Sequence, residues 1–233
     1  MADGADALSA RTLSSIGDIE AAAWDALANP KDEPFDPFIS HAFLLALEES
    51  KSVCREAGWA PMHLVLEEHG KAVGVAPLYL KGNSRGEYVF DQHWADAFER
   101  AGGSYYPKLL SGVPFTPVPG RRLLASSQDN RDNLARAIQQ VTAQIGASSA
   151  HVNFTSPESQ TALTDADYLP RLGEQFHWFN RDYETYDDFL GALSSRKRKA
   201  IKRERRDCAN ADVEILRLYG NEISEPHLRA PVS

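Results

Sequence analysis

The chain has 233 residues, 42% of them hydrophobic and 25% charged, with a formal net charge of −8. This balance excludes wholesale disorder, a fibrous repeat and a disulfide-dense scaffold, and the chain is long enough to bury a core without metal or disulfide staples. At roughly 150 residues per domain, the length falls between one domain and two. The charge is uneven. Arg196, Lys197, Arg198, Lys199, Lys202, Arg203, Arg205 and Arg206 face only Glu204, so residues 196–206 carry +7 and the remainder −15. Cys54 and Cys208 form no metal-binding or redox pair pattern and read as reduced. No apolar run reaches the roughly 20 residues of a membrane span. The N-terminus lacks a secretory h-region, so the expected compartment is the cytoplasm.

In chain order, the first dozen residues read as a loose end, and residues 16–27 as a helix with Ile16, Ile19, Ala23, Trp24 and Leu27 on one stripe. Ser40 is placed to cap a second helix carrying Phe43, Leu44 and Leu47. Residues 62–67 and 72–79 read as a hairpin across His69-Gly70, and residues 88–90 as a short strand. A helix over 94–100, a strand over 106–110 and a Pro/Gly-rich loop over 111–120 follow. Residues 130–145 have helical spacing and stop at Gly146; 151–154 is a strand, and Ser156-Pro157-Glu158 opens a helix. From 175 a new unit is expected: a strand over 175–181, a helix over 185–193 running on as a basic helix to about 206, and a strand over 213–218. The order predicts an α+β domain with one mixed central sheet.

Several ordered motifs then resemble a known family. They are Gly58-Trp59-x-Pro61-x-His63-Leu64, Pro77-Leu78-Tyr79-Leu80-Lys81 and Ser84-x-Gly86-Glu87-Tyr88-Val89-Phe90-Asp91. Trp94-Ala95, Tyr105-Tyr106-Pro107-Lys108-Leu109, Pro114-Phe115-Thr116-Pro117-Val118-x-Gly120-x-Arg122 and Ser195-Arg196-Lys197-Arg198-Lys199 follow. Together they resemble the predicted N-acyltransferase family related to Fem-type peptidoglycan bridge aminoacyltransferases. The resemblance implies a GNAT-like mixed sheet flanked by helices over residues 1–174, and the start of a second such domain over 175–233. It also implies a continuing second half. The chain ends at Ser233 and therefore reads as truncated, with Pro226 disfavouring a further helix.

N-acyl transfer requires an amine placed on an activated carbonyl, a group to take its proton, and donors for the tetrahedral oxyanion. Glu87 and Asp91 are candidates for the base or for amine-binding carboxylates; the alternatives are a surface residue and a helix N-cap. Tyr105 or Tyr106 is a candidate proton or hydrogen-bond donor, and Lys108 a candidate anion partner, unless this is a half-buried aromatic strand with a snorkelling lysine. Phe115 and Thr116, between two prolines, are a candidate pocket wall, and Arg122 a second anion partner. His63 reads as a core or edge histidine, and His93 as a minor candidate for proton transfer. No histidine pair has metal-ligand spacing, so no metal is expected. Arg198 and Lys202 on the basic helix are candidates for a phosphorylated donor, with a merely solvated helix as the alternative. The resulting expectation is a transferase moving an acyl or aminoacyl group to an amine acceptor, such as a cell-wall precursor, with no tightly bound cofactor. Acyl-CoA or aminoacyl-tRNA would be the co-substrate, tRNA through residues 196–206. The rivals are a catalytically incomplete module that only binds an anionic ligand, and a nucleic-acid binder acting through the basic helix alone.

Overall fold

The computed structural model describes residues 8–211 and 213–229. Packing divides the chain into two compact units, Met1–Gly173 and Glu174–Ser233. The first contains β1 (Ser9–Leu13), α1 (Ala21–Ala28), α2 (His41–Glu49), β2 (Trp59–Pro61), β3 (His63–Glu68), β4 (Lys71–Ala76) and β5 (Tyr79–Lys81). It continues with α3 (Gln92–Arg100), β6 (Lys108–Ser111), β7 (Leu124–Ala125), α4 (Gln128–Gln144), β8 (Ala150–Val152) and α5 (Pro157–Asp165).

The architecture is α+β, as the sequence predicts, but the strands form two four-stranded sheets, β1-β3-β4-β7 and β2-β5-β6-β8. All pairs are antiparallel except β6 with β8. One long hairpin feeds both sheets. Its arms break at Met62 and at Pro77-Leu78, so the expected 72–79 strand is two strands; proline cannot donate to the ladder there. The break is bridged by the Met62 N–H donating to the Leu78 carbonyl and by the Leu78 N–H donating to Nδ1 of His63. With Nδ1 accepting, Nε2 carries the ring proton and donates to Oε1 of Glu48 at 2.9 Å. His63 is thus a core histidine with both ring nitrogens satisfied, as expected.

Strand β3 is buried on both faces. Leu64 and Leu66 enter the core made with α4 and α5, while Val65 enters the one made with α1 and α2. Its run of apolar residues, rather than a clean alternation, follows from that double burial. The starts of α2 and α5 were legible, Ser40 and Ser156 accepting from the Phe43 and Ser159 N–H groups; α4 starts at Gln128, ahead of the expected 130, with Ser127 accepting from the Asn130 N–H. Gly146, at φ +67°, follows α4.

Three further expectations in this unit differ from the structure. Residues 9–13 form β1 on an edge; only Leu13 is buried, so there was no apolar pattern to read. The predicted helix over 16–27 is a 3-10 turn at Ile16–Asp18 followed by α1. Residues 88–90 are not a strand, because Tyr88 and Phe90 sit at φ +57° and +53°, which no β ladder accepts.

The second unit contains α6 (Tyr186–Ala192), α7 (Ser195–Ala209) and α8 (Glu225–Arg229). Extended backbone at Leu193 and Ser194 separates α6 from α7, so they are not one continuous helix. Among the described residues, neither 175–181 nor 213–218 forms a strand. Pro226 lies in the first turn of α8, where its missing N–H costs nothing. No helix among the described residues is long and apolar enough to cross a membrane.

Candidate active site

Sheet register builds the site. Trp59, Lys81 and Lys108 are direct cross-strand partners in one row over β2, β5 and β6. Residues opposite one another share a face, so two lysines and an indole meet there. Loop 82–91 folds back over the row. The Arg85 carbonyl accepts from Trp59 Nε1 at 3.1 Å and from Lys81 Nζ at 3.2 Å. The loop then carries Glu87 and Asp91 inward, both buried, while Tyr88 and Phe90 face outward. The left-handed backbone at Tyr88 and Phe90 is the local cost of that alternation.

Lys108 Nζ lies at the centre. It donates to Ser84 Oγ at 2.8 Å, Glu87 Oε2 at 2.9 Å and Asp91 Oδ2 at 2.5 Å. Tyr105 Oη donates to the same Asp91 oxygen at 2.8 Å. Asp91 occupies the N-cap position of α3, yet its side chain does not cap; the carboxylate is committed to Lys108 instead. Lys81 Nζ sits 3.5 Å from the Trp59 ring centroid and 3.9 Å from Glu87 Oε1. The remaining oxygens, Glu87 Oε1 and Asp91 Oδ1, are buried without a hydrogen-bond partner. Four ionisable side chains with two uncommitted carboxylate oxygens make a high-stakes polar cluster.

The environment pulls Glu87, Asp91 and Lys81 apart. Burial pushes Glu87 above the usual carboxylate range despite Lys108. Burial also acts to raise Asp91, but hydrogen bonds from Lys108 and Tyr105 and the Lys108 charge hold it down at about 2. Burial pushes Lys81 down to about 8, with Glu87 opposing. Asp91 gives the first expected result. Between its unfolded value near 3.9 and its folded value of about 2, the unfolded chain binds more protons, so stability falls as pH drops through that window. Denaturant titrations at pH 5, 4 and 3 should show a shallower loss for Asp91→Asn than for wild type; equal slopes would contradict this assignment.

The rim is partly open. Tyr106 Oη and Ser84 Oγ are 2.8 Å apart at half-buried positions. Phe115, at φ +59°, packs tilted against Trp59 with centroids 5.4 Å apart, and its N–H donates to the Gly86 carbonyl. A Cβ at Gly86 would meet the Phe115 ring at 2.5 Å, so this close approach and its φ of +77° require glycine. Thr116 is half-buried beside Phe115, its N–H donating to the Val113 carbonyl.

The other expected residues lie elsewhere. Arg122 is fully buried and donates to the carbonyls of Asn153, Arg121 and Val118. Its guanidinium clamps loop 111–122, and the expected role on an anionic ligand gives way to that. Arg122→Leu should cost about 2–4 kcal/mol, because it leaves three carbonyls unsatisfied. Thermal unfolding checks this, and a change under 1 kcal/mol would contradict the clamp. His93 is exposed at the start of α3. Arg198 and Lys202 lie in the second unit, on α7, none of whose residues is buried. Arg198 donates to the Leu193 carbonyl, and Lys202 lies 3.6 Å from Asp187.

Sequence reasoning gave no role to Lys81, Ser84 or Trp59. A lysine at a strand end reads as surface, and only the pairing of Lys81 with Trp59 and Lys108 encloses it.

A family model described as FemAB-like, peptidoglycan biosynthesis/recognition, matches residues 15–232. The chain belongs to the FemAB-like family. The resemblance stated from the motifs is therefore correct, and the α+β fold is the class expected of it. No curated protein matches the chain. Among solved structures, a variant of TTHA1254 from Thermus thermophilus is 14% identical over 73% of this chain and 98% of that one, with a TM-score of 0.39. The aminoglycoside N-acetyltransferase AAC(6')-Iy, in complex with CoA, is 13% identical over 78% of this chain and 99% of that one, with a TM-score of 0.41. Both likenesses are too remote to carry the chemistry further.

Proposed function

We propose that this FemAB-like protein transfers an acyl or aminoacyl group to an amine on a peptidoglycan-related acceptor. The observation that carries the reading is the pair of uncommitted, buried carboxylate oxygens, Glu87 Oε1 and Asp91 Oδ1, beside the Lys108 centre. Two carboxylate oxygens in a low-dielectric site suit an ammonium group. Glu87, held above the usual carboxylate range by burial, is matched to taking a proton from it. The Ser84 and Tyr106 hydroxyls at the rim supply donors for the tetrahedral oxyanion. Phe115 and Thr116 line the approach to loop 82–91.

The reaction needs no protein nucleophile: the amine nitrogen bonds to the carbonyl carbon, and the carbon's bond to the donor sulfur or oxygen breaks. The donor is acyl-CoA or an aminoacyl-tRNA, and the exposed basic face of α7 suits the phosphates of either. Both are made in the cytoplasm, where we place the protein. The rival anion-binding module fits less well, because Lys108 and Arg122 are buried and committed to protein acceptors.

The test is to incubate the full chain with a peptidoglycan precursor peptide bearing a free side-chain amine, and with acetyl-CoA or aminoacyl-tRNA. Mass spectrometry should find the new amide with one donor. No amide with either would contradict the reading.

A further inference from the structure

The two lysines of the cluster are not equivalent. Lys108 spends its three N–H donors on Ser84, Glu87 and Asp91, each within 3 Å. Lys81 has the Arg85 carbonyl and the face of Trp59, and its distance of 3.9 Å to Glu87 Oε1 is beyond a hydrogen bond. The two are direct cross-strand partners, so two like charges would stand side by side in a fully buried row. Of the pair, Lys81 is the one whose ammonium is poorly compensated.

Charge arithmetic then links Lys81 to the acceptor. With both lysines charged, the cluster is neutral and an entering ammonium would add an unbalanced charge. With Lys81 neutral, Lys108 faces Glu87 and Asp91 alone, and the excess is one negative charge. An ammonium cancels it.

We infer that Lys81 is a positioning residue for amine transfer, which enters the cycle uncharged and receives, through Glu87, the proton that the acceptor ammonium must lose. This rests on the transferase reading above. Every proton and electron pair in the cycle has a destination. The ammonium gives a proton to Glu87 Oε1, which passes it to Lys81 Nζ as loop 82–91 shifts to admit the acceptor and closes the 3.9 Å gap between them. The freed amine lone pair forms the N–C bond at the acyl carbon of a thioester or ester donor. The carbon–sulfur or carbon–oxygen bond breaks, and the leaving thiol or hydroxyl takes the second proton from nitrogen. Lys81 then returns its proton to solvent when loop 82–91 releases the product.

The charged groups facing Lys81 are Glu87 and Asp91 from loop 82–91 and Lys108 from β6; β2 brings the uncharged Trp59. Burial holds Lys81 at about 8, and Glu87 works against that burial. The sign of one perturbation follows: removing the Glu87 charge lowers the Lys81 midpoint further.

The experiment has two arms on the full chain. In the first, NMR of carbon-13-labelled lysine side chains follows Lys81, assigned by its loss in Lys81→Arg. The expected midpoint is near 8, moving down in Glu87→Gln. In the second, kcat/KM is measured from about pH 6 to 9 with a primary alkylamine acceptor, which arrives as an ammonium through that range and so brings the proton that Lys81 is to receive. Wild type should gain rate through the same midpoint. Lys81→Arg, which cannot lose its charge, should lack that limb and fall about 100-fold while still forming product. Transfer with an ordinary lysine midpoint, or a Lys81→Arg profile like wild type, overturns the role of Lys81 and leaves the transferase reading standing. A midpoint near 8 with no transfer to any amine overturns the transferase reading, and the role of Lys81 with it.

Discussion

Replacing Lys108 with methionine is expected to destabilise the first unit by about 3–5 kcal/mol, the largest stability effect of any single change in the site. The side chain is fully buried and lies within 3 Å of two carboxylates. Methionine fills much of its volume, so packing changes little, and the cost is the burial of Glu87 and Asp91 without their cation. At the usual 2–4 °C per kcal/mol for a unit of this size, thermal unfolding should start roughly 10 °C lower. A rescue is also expected. Adding Glu87→Gln and Asp91→Asn removes the uncompensated charges and should recover most of the loss. A loss below 1 kcal/mol in Lys108→Met would show that Glu87 and Asp91 do not depend on Lys108 for compensation of their charge.

Glu87→Gln is expected to lower the transfer rate by about 100-fold or more while changing stability by less than about 1 kcal/mol. The two effects separate for one reason. Burial pushes Glu87 above the usual carboxylate range, so the folded protein already disfavours its charge, and a neutral amide of the same shape costs little. The amide oxygen still accepts from Lys108, but nothing at that position can take a proton. Rate and unfolding temperature measured on the same sample check this. An unchanged rate would remove Glu87 from the chemistry, and a large drop in both would make its role structural.

Much of the first unit could be read from residue order. Helices α2 and α5 announce themselves by a serine at the start, and α2 and α4 by an apolar stripe, because those signals are local. The hairpin turn at His69-Gly70 was equally legible, and both residues adopt positive φ. What failed was non-local. Strand β1 is a polar edge strand that exists because β3 offers a ladder. The reverse holds at 213–218, where alternation without a partner among the described residues leaves Val213 and Ile215 exposed. In the site, Glu87, Asp91, Tyr106 and Lys108 converge, whereas Arg122 is committed to three carbonyls. An arginine after a Pro/Gly-rich loop reads the same whether it binds a ligand or holds the loop. Lys81 was the costliest omission, since its environment depends on strands brought together by the fold.

An amine acceptor is expected to bind between Glu87 and Asp91. A crystal structure of the full chain with a bound primary-amine acceptor tests it most directly. The acceptor nitrogen is expected within hydrogen-bond distance of Glu87 Oε1 and Asp91 Oδ1, the two oxygens without a partner here, with loop 82–91 shifted to admit it. An amine seated elsewhere, with Glu87 and Asp91 still closed on Lys108 alone, would contradict it.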